Sequence, residues 1–164
     1  MSTVIRVIGC GNPEAGDDAA GLIAVRRARE RLADAPEVEI ELAGTGARAL
    51  DYVIGSDGVV VVDAVRTPGG ARPPGTLVEL DVGPEPLPAE VAASLSSHGL
   101  GLADVLGIGA ALGSAPRVVF VGVEAEDVEV GHPLSPAVET AMPELVERVV
   151  ADARELSHAG GGER

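Results

Sequence analysis

Three residues of this chain have side chains that commonly bind metal ions, and each lies where a strand-like run gives way to a loop or a helix. Asp18 closes a glycine-rich loop that begins at Gly9, Asp63 follows an apolar run, and His98 precedes a helical pattern. In open α/β sheets, ligands bind in the crevice beyond the carboxyl ends of the strands. The spacing therefore predicts one site formed by Asp18, Asp63 and His98.

Two carboxylates and an imidazole form a mixed oxygen and nitrogen ligand set. Divalent first-row metals such as nickel, zinc and iron accept such a set, which leaves coordination positions open for water or a substrate group. The ligand types alone do not choose among these metals.

Each of these residues also has a structural interpretation. Asp17 or Asp18 is suited to cap the helix that follows, an interaction worth about 0.5–2 kcal/mol. Asp63 is suited to bind loop amides at a buried strand end, and His98 to a loop or cap position. Cys10 is either a small packing residue or a nucleophile beside His98.

The first loop also partly matches a dinucleotide-binding motif. Gly9 and Gly11 fit the first two positions of G-x-G-x-x-G, but Glu14 occupies the third, and Asp17 and Asp18 crowd the start of the helix. A pyrophosphate needs bare amides there and would meet carboxylates instead. A nucleotide-binding α/β module is therefore the weaker alternative.

Composition and charge narrow the class of protein. At 164 residues the chain fits one domain, predicted at 1–156 and followed by a flexible tail at 157–164. Hydrophobic residues make up 46% and aromatic residues only 1%, so Val, Leu, Ile and Ala must form the core. A formal net charge of −14 argues against nucleic acids and anionic membranes as partners.

Two further features predict a cytoplasmic protein. Cys10 is the single cysteine, which excludes an internal disulfide, and no signal-like stretch opens the sequence. The apolar runs are also far shorter than the roughly 20 residues that cross a bilayer.

Alternating strand and helix patterns predict the elements that position the site. Strands are expected at 4–8, 38–42, 58–63, 76–80 and 117–122, and helices at about 19–32, after Gly46, after His98 and at 135–156. This alternation is typical of an α/β fold, here a three-layer helix-sheet-helix sandwich with a mostly parallel twisted sheet of about five strands. The fourth strand is flanked by prolines, which favours a position at the sheet edge.

These motifs, in this order, resemble those of the hydrogenase maturation endopeptidases, which process the large subunit of nickel-iron hydrogenases. The resemblance covers nearly the whole chain. It rests on five blocks: Gly9-Cys10-Gly11-Asn12 with Gly16-Asp17-Asp18 and Gly21, Val62-Asp63-Ala64-Val65, Ser97-His98-Gly99-Leu100-Gly101-Leu102, Gly122-Val123-Glu124, and Leu134-Ser135-Pro136-Ala137-Val138.

The resemblance implies a nickel-dependent endopeptidase that removes the C-terminal extension of a hydrogenase large-subunit precursor. It implies metal-contacting and catalytic roles for Asp18, Asp63 and His98, with nickel supplied by the precursor; some members have Glu at the position of Asp18. The alternative from another class is a noncatalytic chaperone that binds the metal or the precursor without cutting it.

Overall fold

The computed structural model describes residues 2–44, 46–82, 88–89, 92–93 and 115–162. Short 3-10 turns lie at Gly16–Ala19 and Pro68–Gly70. The strands and helices, in chain order, are β1 (Ile5–Cys10), α1 (Ala20–Arg31), β2 (Val38–Ala43), α2 (Gly46–Val53), β3 (Gly58–Val65), β4 (Leu77–Val82), β5 (Arg117–Glu124) and α3 (Pro136–Gly161).

The described strands form one five-stranded sheet in the order β2-β1-β3-β5-β4. The β1, β2, β3 and β5 strands are parallel, whereas β4 pairs antiparallel with β5 at the sheet edge. The carboxyl ends of β1, β3 and β5 therefore meet at the same edge. In the register of the sheet, Gly9 of β1 pairs with Val62 of β3, and Asp63 of β3 pairs with Gly122 of β5. Asp63 therefore lies at this edge on the strand between β1 and β5.

Apolar side chains cover both faces of the sheet. One buried cluster packs α1 and α3 against residues of β1, β3 and β5, and a second, on the other face, joins Phe120 to Val53 of α2. All eight residues of β3 are buried, as the wholly apolar run predicts. The predicted fold class is confirmed, as is the edge position of the fourth strand.

The element ends differ from the sequence prediction. The β1, β3 and β5 strands continue to Cys10, Val65 and Glu124, so Asp63 lies inside its strand and not at the end of it. The last helix continues past Leu156, and residues 157–161 form its final turn instead of a tail. The last residues of a domain are expected to fray, but the Ser157 hydroxyl donates a hydrogen bond to Glu37 and anchors this turn.

The helix predicted after His98 lies outside the described residues. Among the described helices, none combines the length and apolar character needed to cross a membrane.

Helix α1 approaches the ends of β1 and β3 very closely at Gly21. A Cβ atom at this position would lie 2.4 Å from the carbonyl oxygen of Val62 and 2.7 Å from that of Cys10. Both contacts are with backbone, which cannot move aside as a flexible side chain can. Glycine at this position therefore sets the distance between the helix that follows Asp18 and the strand that carries Asp63.

We expect Gly21→Ala to lower the free energy of unfolding by about 1–3 kcal/mol, because the methyl group overpacks the helix against strand backbone. Gly161→Ala is the matched control, since a Cβ there would meet nothing within 4 Å. Urea unfolding of both variants measures the difference. Equal stabilities would show that the helix can move away from the sheet at little cost.

Candidate active site

The structure places two of the three predicted site residues at the carboxyl edge of the sheet. Asp63 is fully buried in β3, and Asp18 lies partly exposed in the 3-10 turn Gly16–Ala19, between β1 and α1. His98, the third predicted residue, lies outside the described residues.

The loop after β1 is folded tightly around Asp18. Gly11 has φ +131, a conformation that favours glycine, and a Cβ atom on it would lie 1.8 Å from the carbonyl oxygen of Asp18. Oδ2 of Asp18 accepts a hydrogen bond of 2.8 Å from the backbone N–H of Asn12. The carboxylate is therefore positioned directly beyond the end of β1.

Asp63 is oriented by its own strand. Its Oδ1 accepts a hydrogen bond of 2.8 Å from the backbone N–H of Ala64. Its neighbour in β5 is Gly122, which has no side chain. The sequence predicted a bond to loop amides, whereas this amide belongs to β3 itself. The bond is compatible with binding a cation because a carboxylate accepts several interactions.

The pKa of the Cys10 thiol, at the end of β1, depends on both carboxylates. Burial raises the pKa of the Cys10 thiol far above its ordinary value, and the negative charges of Asp63 and then of Asp18 raise this pKa further. Both carboxylates therefore lie near the same buried sulfur atom. A protonated thiol is a poor nucleophile, which argues against catalysis by Cys10.

The described part of the site suits a cation. Asp18 and Asp63 place two negative charges near the buried thiol of Cys10. Carboxylate oxygens are ligands that divalent metal ions accept. The chemistry of these residues therefore fits the metal-binding interpretation better than binding of an anion or a pyrophosphate.

Asp17 has a different role from the one that the sequence predicted. The 3-10 turn and α1 have Ala15 and Ala19 at their N-caps, with no side-chain hydrogen bond at either. The prediction that Asp17 or Asp18 caps the helix is therefore wrong. The Asp17 side chain is fully buried and points toward the segment before α3 instead.

This buried carboxylate accepts four hydrogen bonds. Oδ2 accepts from the backbone N–H groups of Glu126 (2.8 Å) and Asp127 (3.0 Å) and from the hydroxyl of Ser135 (2.8 Å). Oδ1 accepts from the backbone N–H of Ser135 at 2.7 Å. Ser135 is also the N-cap of α3. Asp17 thus joins the loop before Asp18 to the loop after β5 and to the start of the last helix.

Glu124 is a second residue whose role the sequence did not specify. This buried carboxylate at the end of β5 accepts hydrogen bonds from the backbone N–H (2.7 Å) and the hydroxyl (2.8 Å) of Thr67. The loop that follows β3 is thereby fixed to β5. The motif Gly122-Val123-Glu124 marked the position, but only the fold shows that its partner is Thr67.

Another group of acidic and histidine side chains lies on the loop after β5. Ligand atoms of Asp127, Glu129 and His132 lie within 4.8 Å of one another, and the His132 ring bonds to Asp127 at 2.6 Å. This hydrogen bond raises the pKa of His132 and lowers the pKa of Asp127. These contacts account for the group without a metal ion.

Comparison with known proteins gives consistent results. A family profile described as hydrogenase maturation protease matches residues 23–152. The chain is similar to the hydrogenase 2 maturation protease of Escherichia coli (strain K12), with 35% identity over 153 residues, which are 92% of this chain and 91% of that protein.

Solved structures agree with this similarity. The hydrogenase maturating endopeptidase HybD from E. coli has 33% identity and a TM-score of 0.74, with 93% of each chain covered. A [NiFe] hydrogenase maturation protease HybD from Thermococcus kodakarensis, at 24% identity, shares the fold, with a TM-score of 0.67 over 92% of this chain and 99% of that one.

We expect Asp17→Ala to destabilise the protein by roughly 3 kcal/mol or more, beyond the range of a lost helix cap, because four donors lose their acceptor and two of them, the N–H and the hydroxyl of Ser135, are buried. Asp51→Asn, on the exposed side of α2, is the control for the loss of one negative charge. Chemical denaturation compares the two variants. A loss within the helix-cap range of about 0.5–2 kcal/mol would contradict the role of Asp17 in joining the two loops.

Proposed function

The chain belongs to the hydrogenase maturation protease family and is a peptidase, and from this premise we propose that it removes the C-terminal extension of a nickel-iron hydrogenase large-subunit precursor. The observation that carries the proposal is the pair of carboxylates, Asp18 and Asp63, at the carboxyl edge of the sheet. Their positions match the motifs by which the sequence resembles this family. The related E. coli proteins are named as a hydrogenase 2 maturation protease and a hydrogenase maturating endopeptidase.

In this proposal, nickel is part of the substrate. The precursor presents its bound nickel ion to the edge of the sheet, where Asp18, Asp63 and His98 contact it. Recognition of nickel then restricts cleavage to precursors that have received their metal. The two carboxylates described above support this assignment, whereas the assignment of His98 rests on the resemblance.

Peptide hydrolysis needs a polarised carbonyl and an activated water molecule. A divalent metal ion at the site would supply both effects by withdrawing electron density from the bound oxygen. Water adds its oxygen to the carbonyl carbon and gives up a proton, the carbon–nitrogen bond breaks, and the departing amine takes up that proton. Asp18 is partly exposed and can accept a hydrogen bond from water, whereas buried Asp63 fixes the cation.

The net charge of the chain also bears on the kind of partner that it binds. The formal net charge of −14 favours a basic segment of the precursor and disfavours nucleic acids as partners. The prediction of a cytoplasmic location, made from cysteine usage, agrees with this proposal.

Replacing a metal-contacting carboxylate tests the proposal most directly within this protein. We expect Asp63→Asn to slow processing of a nickel-loaded precursor by about a hundredfold or more, because the negative charge is lost while an oxygen remains for the Ala64 N–H. Asp18→Asn and His98→Ala should slow processing to a similar extent. Intact mass of the precursor over time measures the loss of the C-terminal peptide.

Two controls distinguish the possible outcomes. Asp51→Asn removes the same charge away from the site and should process normally. Urea unfolding of each variant separates a lost contact from a lost fold. Full activity of stable Asp63→Asn would reject the site, while binding of the precursor by the wild-type protein without any shortening would identify the noncatalytic chaperone.

A further inference from the structure

A cavity of about 290 Å³ lies between the edge strand β4, the start of β5 and the second half of α3. Arg117, the first residue of β5, lines it, so the cavity is at the opposite end of the sheet from Asp18 and Asp63. Its walls include the apolar side chains of Leu80, Val119 and Leu156. The charged side chains that line it are Glu79, Asp81, Arg117, Arg148, Asp152 and Glu155.

The two arginines already pair with three of the four carboxylates. Arg117 contacts Asp81 at 3.3 Å and Glu155 at 3.4 Å. Arg148 contacts Glu79 at 3.3 Å. Asp152 has no ion pair with either guanidinium group, so the cavity has an excess of acidic groups.

Asp152 has a buried carboxylate oxygen that can accept a hydrogen bond from a ligand. Its side chain is buried, with 8% of the residue exposed, and Oδ2 has no hydrogen-bond partner among the described residues. The nearest strand brings Glu79, another acceptor, to the same cavity. A buried carboxylate oxygen needs a donor, because leaving it unpaired costs free energy.

We propose that this cavity binds an aliphatic ammonium ion of the diamine or polyamine class, with an ammonium group donating to Asp152. An ammonium group carries three hydrogen-bond donors and suits a site with several acceptors. Leu80, Val119 and Leu156, among the lining residues, offer apolar contacts to the methylene groups between the nitrogen atoms. At roughly 30 Å³ for each water, the cavity has the volume of about ten water molecules, enough for a short chain.

The geometry disfavours other occupants. Among the described residues, the only three potential ligands close enough to hold a metal ion together are on the loop after β5, not in this cavity. An anion would meet the excess of carboxylates. All 12 basic residues of the chain are arginines, so no lysine side chain of this protein can provide the ammonium group.

A proton competes with the ammonium ion for Asp152. Burial raises the pKa of Asp152 most, followed by the hydrogen bond that the protonated carboxyl group makes with Glu79 and by the negative charges of Glu79 and Glu155. The charge of Arg148 lowers this pKa, and the result is a pKa of about 7. Below this pH the carboxyl group is protonated and can donate to Glu79. Above it, the charged carboxylate needs a cation.

Binding of spermidine, measured by calorimetry at about pH 8.5 and about pH 6, tests the proposal, since the primary amines of spermidine stay mostly protonated across this range. We expect saturable binding to one site at the higher pH and affinity roughly tenfold weaker at the lower pH. Asp152→Asn and Glu79→Gln should each weaken binding at the higher pH by about tenfold or more. The control Glu144→Gln removes one exposed carboxylate of the same helix outside the cavity and should bind as the wild type does.

Two results would overturn the proposal. No saturable binding by the wild-type protein would show that a proton alone serves Asp152. Equal binding by Asp152→Asn, Glu79→Gln and Glu144→Gln would show general attraction of a polycation to an acidic surface. The readout is binding, so it is independent of peptidase activity.

The same carboxyl group predicts a pH dependence of stability without any amine. Because its pKa in the folded protein is raised, Asp152 stabilises the fold fully below its unfolded pKa of about 4, and this contribution is lost as pH rises through about 7. The urea midpoint should therefore fall between about pH 5 and pH 8 by more in the wild type than in Asp152→Asn. Parallel pH profiles would contradict the raised pKa.

Discussion

The buried carboxylate of Asp17 is the interaction on which the geometry of the site depends. It accepts three backbone N–H groups and one hydroxyl from residues 109 to 118 positions away in the chain. The N–H and the hydroxyl of Ser135 are buried and would otherwise lack a partner, so removal of the carboxylate disturbs the start of the last helix. The next residue, Asp18, is thereby held in a turn that is fixed on one side by Asp17 and on the other by the tight contact with Gly11. A site that binds a metal ion needs ligands held in fixed positions, because small displacements of a ligand weaken coordination.

A second constraint is electrostatic. Parallel strands that end at one edge bring Asp63 and Asp18 near the buried thiol of Cys10, and this arrangement is unfavourable for a further negative charge. The same physics suppresses a thiolate and favours a divalent cation. It also applies at the opposite end of the sheet, where Asp152 is buried near Glu79 and is stabilised by a proton or by a cation. At both ends of the sheet, the negative charge of a buried carboxylate favours a positively charged partner.

Much of this structure could be predicted from the sequence because its signals are local. The valine run of β3, the helix periodicity and the proline-flanked edge strand each determine an element within a short window. The motif around Gly11 and Asp18 likewise predicts a turn at a strand end. The roles of Asp17 and Glu124 could not be predicted, because their partners Ser135 and Thr67 are brought to them only by the tertiary fold. An acidic residue before a helix favours a cap in the absence of that information. The sequence places the strand ends too early, since Gly9, Ala64 and Glu124 are not typical strand residues and are extended here by burial and pairing.

The central proposal is that the peptidase recognises nickel in its substrate through the carboxylates at the sheet edge. Its most direct test is the intact mass of a hydrogenase large-subunit precursor from the same genome, in nickel-loaded and nickel-free forms, before and after incubation with this protein. We expect loss of a discrete C-terminal peptide from the nickel-loaded form alone. Equal shortening of both forms would contradict the claim that nickel is recognised, and shortening of neither would contradict the endopeptidase activity itself.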